Sequence, residues 1–210
     1  MGAPPADREE AARLNNRGVA DLEQFKFGEA NATFRQAIAL DPTFLPPRIN
    51  LAVARLYEPD LPGAREAAER ASRVAPEAPQ PQYLLGLIAR AENRPADAEV
   101  AFERVLAVDA ADAGTNYMLA QVYLQQARID EALVRLDAAM SAEPYNASVV
   151  YSYAQALARA GRRDESARWL DRFSTLRESA SATSFGQNYL EQGRYAEAVQ
   201  GVPHGRGIHG

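Results

Sequence analysis

The fold is decided by the 34 residues at positions 79–112, which read PQPQYLLGLIARAENRPADAEVAFERVLAVDAAD. Apolar side chains recur there at intervals of three and four residues, in one block before Asn93 and another after Pro95. This spacing is typical of amphipathic helices, so it predicts two helices joined by a short turn. Pro95 suits the first turn of the second helix, because the first N–H groups of a helix have no partner within it.

The helix–turn–helix unit recurs every 34 residues along the chain. Three columns of residues keep this step through five cycles: Gly18, Ala52, Gly86, Ala120 and Ala154; Ala30, Ala64, Ala98, Ala132 and Ser166; Phe34, Ala68, Phe102, Leu136 and Leu170. Gly or Ala permits the two helices of a pair to approach closely, and the third column fills the space above them. Such units cannot bury their apolar faces alone, so their stacking predicts a solenoid with a continuous core.

The repeat divides the chain into three segments. We expect residues 1–10 to be a flexible N-terminal segment, residues 11–201 to form the solenoid, and residues 202–210 to be a flexible Gly/His tail. The repeats are expected at about 11–44, 45–78, 79–112, 113–146 and 147–178, with a partial sixth at 179–201. The sixth unit matches the pattern at Phe185, Gly186, Tyr189, Gly193, Tyr195 and Ala198. It is truncated because few residues follow before the tail.

The unit resembles the tetratricopeptide repeat, a helix–turn–helix family with Gly, Tyr, Ala, Phe and Pro at fixed columns. The clearest matches are Tyr83-Leu84-Leu85-Gly86 and residues 116–123, and the resemblance covers about residues 11–200. It implies an all-α, right-handed solenoid of about five 34-residue units plus a truncated sixth. The chain departs from the family pattern at Ala68, which replaces an aromatic residue, and no repeat carries the early tryptophan.

Composition and charge exclude several classes of function. The net charge is −5, so no broad basic surface for nucleic acid is expected. No apolar run reaches the roughly 18 residues of a membrane span, so direct membrane insertion is not expected. The chain has no Cys, and its two His residues, His204 and His209, lie in the tail. We therefore expect a protein that is not an enzyme, with no catalytic residue, no metal site and no cofactor.

The resemblance implies that the first helices of the repeats line a concave groove that binds a peptide or a partner protein. The candidate groove residues are Asn15, Ile49, Asn50, Val53, Tyr83, Leu87, Tyr117, Gln121, Tyr151 and Gln155. Tyr83, Tyr117 and Tyr151 stand at one column and would form a ladder of aromatic anchors. Tyrosine is also common at this column in the family at large, so the ladder fits a purely structural role as well. The groove lacks the Lys and Arg residues with which co-chaperones of this family clamp acidic tails.

Three functional hypotheses follow from the sequence. The leading one is a non-catalytic scaffold or adaptor that binds a peptide or partner protein in the groove. The second is a structural module of a larger chain, since residues 14–18 and 184–193 resemble the repeat regions of large bacterial exported proteins. The third is self-association through the truncated sixth repeat, which would leave Phe185, Tyr189 and Val199 partly uncovered.

The sequence leaves the compartment open. We expect a soluble protein in the cytoplasm or, if an N-terminal signal has been removed, a periplasmic or exported one. The partner and the pathway are not identified by any residue pattern.

Overall fold

Helices joined by short turns make up residues 5–177. The structure, a computed structural model, describes residues 4–179 and 181–201. Its ten α-helices are α1 Pro5–Glu23, α2 Phe27–Leu40, α3 Leu45–Tyr57, α4 Leu61–Val74, α5 Pro79–Ala91, α6 Pro95–Val108, α7 Ala113–Gln125, α8 Ile129–Ala142, α9 Ala147–Arg159 and α10 Arg163–Arg177. Short turns join them into five successive pairs. The prediction of an all-α fold with five helix–turn–helix units is therefore confirmed.

Two compact units make up the described residues. Unit 1 contains residues 4–84 and 197–201, and unit 2 contains residues 85–179 and 181–196. The largest fully buried side chains are Leu22, Phe34, Val53, Tyr83 and Leu84 in unit 1, and Ile88, Phe102, Leu119, Leu136 and Leu157 in unit 2. They come from both helices of the repeats, as expected where each amphipathic helix buries one face against its neighbours.

Two glycines of the first column permit the closest approach within a helix pair. A Cβ atom at Gly18 would lie 2.5 Å from Phe34 Cε1, and one at Gly86 would lie 2.5 Å from Phe102 Cε1. These distances are too short for any carbon–carbon contact, so each phenylalanine requires glycine opposite it. The other three repeats have Ala in the first column and Ala or Leu in place of Phe. The two columns therefore complement each other in volume.

The turn within a repeat places one residue in the left-handed region. At this position Phe25, Asn93, Ala127 and Gly161 have φ of 59°, 55°, 60° and 79°. The left-handed residue ends the first helix and redirects the chain into the second. Only Gly161 adopts this conformation without a clash between its own Cβ and the backbone.

Helix α1 begins earlier than expected from the sequence. It starts at Pro5, so residues 5–10, which were expected to be flexible, are helical. Proline suits the first helical turn, and the carboxylate of Asp7 in that turn interacts favourably with the helix dipole. The predicted tail at 202–210 lies outside the described residues.

The predicted sixth repeat does not form a helix pair. Residues 181–193 lie in turns, bends and extended backbone, and Arg194–Ala196 form one short 3₁₀ turn. Leu190 and Gly193 have φ of 73° and 94°, which interrupts any helix. Tyr189 is only 4% exposed. It therefore does not contribute to the exposed apolar surface that was expected to support self-association.

Candidate functional site

The candidate site is formed where first helices contact residues 181–201, called the C-terminal segment below. Residues 197–201 of this segment belong to unit 1, and residues 181–196 belong to unit 2. Each part contacts the first helices of its own unit through the hydrogen bonds and ring contacts described next. The site therefore consists of one set of contacts in each unit.

In unit 1, three asparagines bind the main chain of the C-terminal segment. Asn50 of α3 donates from Nδ2 to the Val199 carbonyl at 2.8 Å and accepts from the Val199 N–H at 2.7 Å. Asn16 of α1 makes the same pair of bonds with Gly201, at 3.0 and 2.8 Å. Asn15 of α1 donates to the Val199 carbonyl at 3.0 Å and accepts from Asn50 Nδ2 at 2.8 Å. We call these three residues the amide clamp.

The amide clamp imitates the edge of a β-strand. A primary amide offers one acceptor and one donor side by side, as a residue in a strand does. Val199 and Gly201 are two residues apart, so their N–H and C=O groups point the same way in an extended chain. Asn15 and Asn50 are fully buried, and these bonds satisfy amide groups that would otherwise be costly to bury.

Gly201 fits a narrow place beside the clamp. A Cβ atom at this position would lie 2.8 Å from Phe44 Cζ and 3.4 Å from Asn15 Nδ2. A larger residue would have to displace the Phe44 ring. The clamp therefore favours a peptide with glycine at the position of Gly201, two residues after the one that Asn50 binds.

In unit 2, the C-terminal segment binds the start of α9 through its main chain. Thr183 forms a parallel β-bridge with Asn146, in which the Ala147 N–H donates to the Thr183 carbonyl at 2.8 Å. The Ser148 hydroxyl donates to the Phe185 carbonyl at 2.9 Å and accepts from the Phe185 N–H at 3.1 Å. Here too a polar side chain pairs with both main-chain groups of one residue.

An aromatic contact accompanies these bonds. The Phe185 ring stacks on the Tyr117 ring of α7, with 5.0 Å between centroids and 29° between planes. Stacked rings of this kind add to the free energy gained from buried area. In this structure Tyr117 therefore packs against a residue of the same chain, and its role as an anchor for a partner stays a prediction.

An acidic site lies where α6 ends and α7 begins. Arg194 donates from Nε to Asp112 Oδ1 at 2.8 Å, and its Nη2 is paired with Asp109 Oδ2. The Tyr195 hydroxyl donates to the same Asp109 oxygen at 2.6 Å. Burial raises the pKa of the Tyr195 phenol, whereas the positive charge of Arg194 lowers it. Asp109 and Asp112 are called the acidic site below.

Asp112 also has a local structural role. It is the N-cap of α7, and its Oδ2 atom accepts from the Thr115 N–H at 2.7 Å and the Thr115 hydroxyl at 2.6 Å. The cap uses one carboxylate oxygen and leaves Oδ1 for Arg194. The Asp112 side chain is only 4% exposed, which strengthens its electrostatic interactions.

The apolar candidates in the groove are mostly buried. Ile49 is 2% exposed, Val53 and Tyr83 are fully buried, and Leu87 is 4% exposed. These side chains present almost no surface to a ligand in this structure. Tyr83 is thus part of the core of its unit rather than an open rung of a tyrosine ladder.

The remaining candidates lie in unit 2 and differ in environment. Tyr117 stacks on Phe185, whereas Tyr151 stacks on Phe173 of α10 at 4.9 Å and is 40% exposed. Gln121 donates to Ser152 Oγ at 3.0 Å, and Gln155 is exposed. The three tyrosines of one sequence column therefore occupy three different environments. Whether they bind a ligand together stays a prediction.

Sequence reasoning missed Asn16, Ser148, Asp109 and Asp112. Asn16 directly follows a candidate residue, so the Asn15-Asn16 pair was the available signal. The acidic pair showed no signal of binding, because Asp112 is explained by its position before a helix. Its partner Arg194 lies 82 residues away in sequence.

Within residues 4–179 and 181–201, no group of three or more His, Asp or Glu side chains could hold a metal ion. His204 and His209 lie outside these residues. None of the described helices combines the length and apolar character needed to cross a membrane.

The paired helices and the 34-residue period define a helical-repeat protein. Tetratricopeptide repeat family models match residues 49–114, 89–144 and 117–180, which is more than half of the chain. The chain belongs to the tetratricopeptide repeat family. In general terms it is a protein-interaction scaffold, as this family is.

Solved structures share the fold at low sequence identity. MamA 41-end from Desulfovibrio magneticus RS-1 is 17% identical with a TM-score of 0.73, covering 82% of this chain and 98% of that one. PilF of Pseudomonas aeruginosa is 18% identical with a TM-score of 0.74, covering 80% and 77%. YrrB, described as a tetratricopeptide protein with an unusual peptide-binding site, is 18% identical with a TM-score of 0.65, covering 80% and 86%. A comparison with curated protein sequences returns no match.

Proposed function

We propose that this chain is a non-catalytic adaptor whose first helices bind an extended peptide segment of a partner protein. The observation that carries the proposal is the amide clamp in unit 1. Asn16 and Asn50 each pair with both main-chain groups of one residue in a non-helical segment. The YrrB relative is described as having a peptide-binding site, which supports the same kind of ligand for this chain.

The clamp suits a peptide chosen mainly by its backbone. It makes five hydrogen bonds to Val199 and Gly201, each worth roughly 0.5–1.5 kcal/mol net. Ordering the residues between and around them costs about 1–2 kcal/mol each. The two sums are similar, so the segment is held weakly in unit 1. A partner peptide with one further contact would displace it.

The test uses the full chain with Val199→Pro, which removes the N–H that Asn50 Oδ1 accepts. The probe is a fluorescein-labelled peptide Ala-Glu-Ala-Val-Gln-Gly, the sequence of residues 196–201. We expect saturable binding in fluorescence anisotropy, and we expect it to weaken when Asn50→Ala is added. The matched control is the same peptide with N-methylvaline, which keeps every side chain and lacks one N–H.

The control peptide should bind about fivefold more weakly, as expected for one lost hydrogen bond. Equal affinity of the two peptides would contradict main-chain recognition by the clamp. No saturable binding of either peptide would overturn the proposed function.

A further inference from the structure

The acidic site holds an arginine–tyrosine pair that the repeat fold itself does not require. Arg194 and Tyr195 belong to the non-helical C-terminal segment, whereas Asp109 and Asp112 belong to the ends of regular helices. At the equivalent helix ends the acids pair with residues of the helical units. Asp41 accepts from the Thr43 hydroxyl at 2.6 Å and pairs with Arg8 of α1, and Glu143 accepts from Asn146 Nδ2 at 2.8 Å. In the acidic site, the Asp109 carboxylate instead receives both of its described partners from the segment.

The geometry of the acidic site selects arginine among the basic residues. Arg194 uses Nε for Asp112 and Nη2 for Asp109, so its two donors bridge two separate carboxylates. The planar guanidinium holds these donors in a fixed fork, while a lysine ammonium is a single point charge. The guanidinium also lies over the Tyr195 ring, with Cζ 4.8 Å from its centroid. The aromatic residue after the arginine thus contributes a second contact.

The surroundings of the site are anionic and leave space. Asp109, Asp112 and Arg194 line a cavity of about 380 Å³ together with Gly193 and Glu143. The Glu143 carboxylate accepts from Asn146 Nδ2 at 2.8 Å and adds a third negative charge to the wall. The cavity wall therefore carries three carboxylates, two of which pair with Arg194. The Arg194 side chain is 59% exposed, so it can leave without disturbing a packed core.

We propose that the acidic site is a specific binding site for an arginine followed by an aromatic residue in a partner peptide, and that Arg194 and Tyr195 occupy it in competition with that partner. This inference rests on the proposed function, since it names the ligand class of one part of the peptide-binding surface. The tethered pair acts as an internal competitor with an effective concentration in the millimolar range. A partner with the same pair and further contacts gains access by displacing it.

The test is a peptide titration of the full chain and of its Arg194→Ala variant. The probe is labelled Leu-Glu-Gln-Gly-Arg-Tyr-Ala, the sequence of residues 190–196. The matched control peptide carries citrulline for arginine, which keeps the shape and removes the charge. Arg13→Ala is the control variant, since Arg13 lies in unit 1 and is 68% exposed.

Arg194→Ala should bind the arginine peptide about tenfold more tightly than the unmodified chain does, whereas Arg13→Ala should not differ from it. The citrulline peptide should bind Arg194→Ala about tenfold more weakly than the arginine peptide. Adding Asp109→Asn should remove most of this difference while leaving the Asp112 cap in place.

Equal binding of the arginine and citrulline peptides would overturn the proposal, as would equal affinity of Arg194→Ala and the unmodified chain. If these outcomes occur while Ala-Glu-Ala-Val-Gln-Gly still binds the Val199→Pro chain, the acidic site fails and the proposed function stands. If Ala-Glu-Ala-Val-Gln-Gly does not bind the Val199→Pro chain and Leu-Glu-Gln-Gly-Arg-Tyr-Ala does not bind the Arg194→Ala chain, both proposals fail.

Discussion

Replacing Gly86 by alanine tests how closely paired helices approach in this protein. The added Cβ would lie 2.5 Å from Phe102 Cε1, 2.7 Å from Cδ1 and 2.7 Å from Cζ. The aromatic ring is fully buried, so it has no free space to move into. The substitution must therefore shift the ring or separate α5 from α6.

Two opposing contributions set the size of the effect. Overpacking of a filled core destabilises by about 1–3 kcal/mol. Alanine in a helix interior stabilises by about 1 kcal/mol relative to glycine. We expect Gly86→Ala to change the free energy of unfolding by between about 0 and −2 kcal/mol. In a Phe102→Leu background the clash is absent, and the same change should stabilise by about 1 kcal/mol.

The assay is urea unfolding of the four proteins in this double-mutant cycle. Fluorescence of Trp169, which lies in the same unit and packs edge-on to Tyr153 at 5.1 Å, reports the transition. The expected coupling free energy equals the overpacking term, about 1–3 kcal/mol. Leucine opposite alanine already occurs in the fourth repeat, so the double variant should fold. A coupling below about 0.5 kcal/mol would refute the steric explanation of the glycine.

Three further predictions concern a turn, a buried acid and the clamp. Gly161→Ala should lower the free energy of unfolding by about 1 kcal/mol, because alanine is strained at the positive φ of this position. The added Cβ atom would meet nothing within 4 Å, so no steric clash contributes. An unchanged urea midpoint would contradict this prediction. Burial opposes ionisation of Asp41, but hydrogen bonds from Thr43 hold the pKa of its carboxyl below the ordinary value. The stabilisation that these bonds give is therefore present above the unfolded-state pKa and is lost as the pH falls through the folded-state pKa. Thr43→Ala should therefore cost about 1 kcal/mol in urea unfolding at pH 7 and much less at about pH 2, and an equal cost at both would count against it. Asn50→Ala should accelerate hydrogen exchange of the Val199 amide about tenfold, as measured by NMR. An unchanged exchange rate would show that the Val199 N–H does not donate to Asn50.

The candidate site was predictable only in part. Asn15 and Asn50 were predicted to bind a ligand from their columns, and in the structure both contact the C-terminal segment. Tyr83 shares its column with Tyr117, yet it is fully buried. A column of a repeat identifies the face of a helix, and the neighbours packed on that face decide whether it is open.

Two hypotheses from the sequence stay predictions. Membership of a larger, exported chain is untested, and so is self-association. For the latter, light scattering across a range of concentrations would show a mass that rises above that of the monomer. The burial of Tyr189 has weakened the original reason to expect it.

The sequence by itself determined the helical units of this protein. The 34-residue period, the apolar spacing and the Gly–Phe complementarity are local or nearly local properties, because the two helices of a unit are adjacent in the chain. Only the tertiary structure decided the fate of the C-terminal segment. Its Tyr and Gly residues match the repeat pattern, but its hydrogen-bond partners include Asn15, which lies 184 residues from Val199. A non-helical segment needs hydrogen-bond partners for its main-chain groups from outside itself, and here side chains that are distant in sequence supply them.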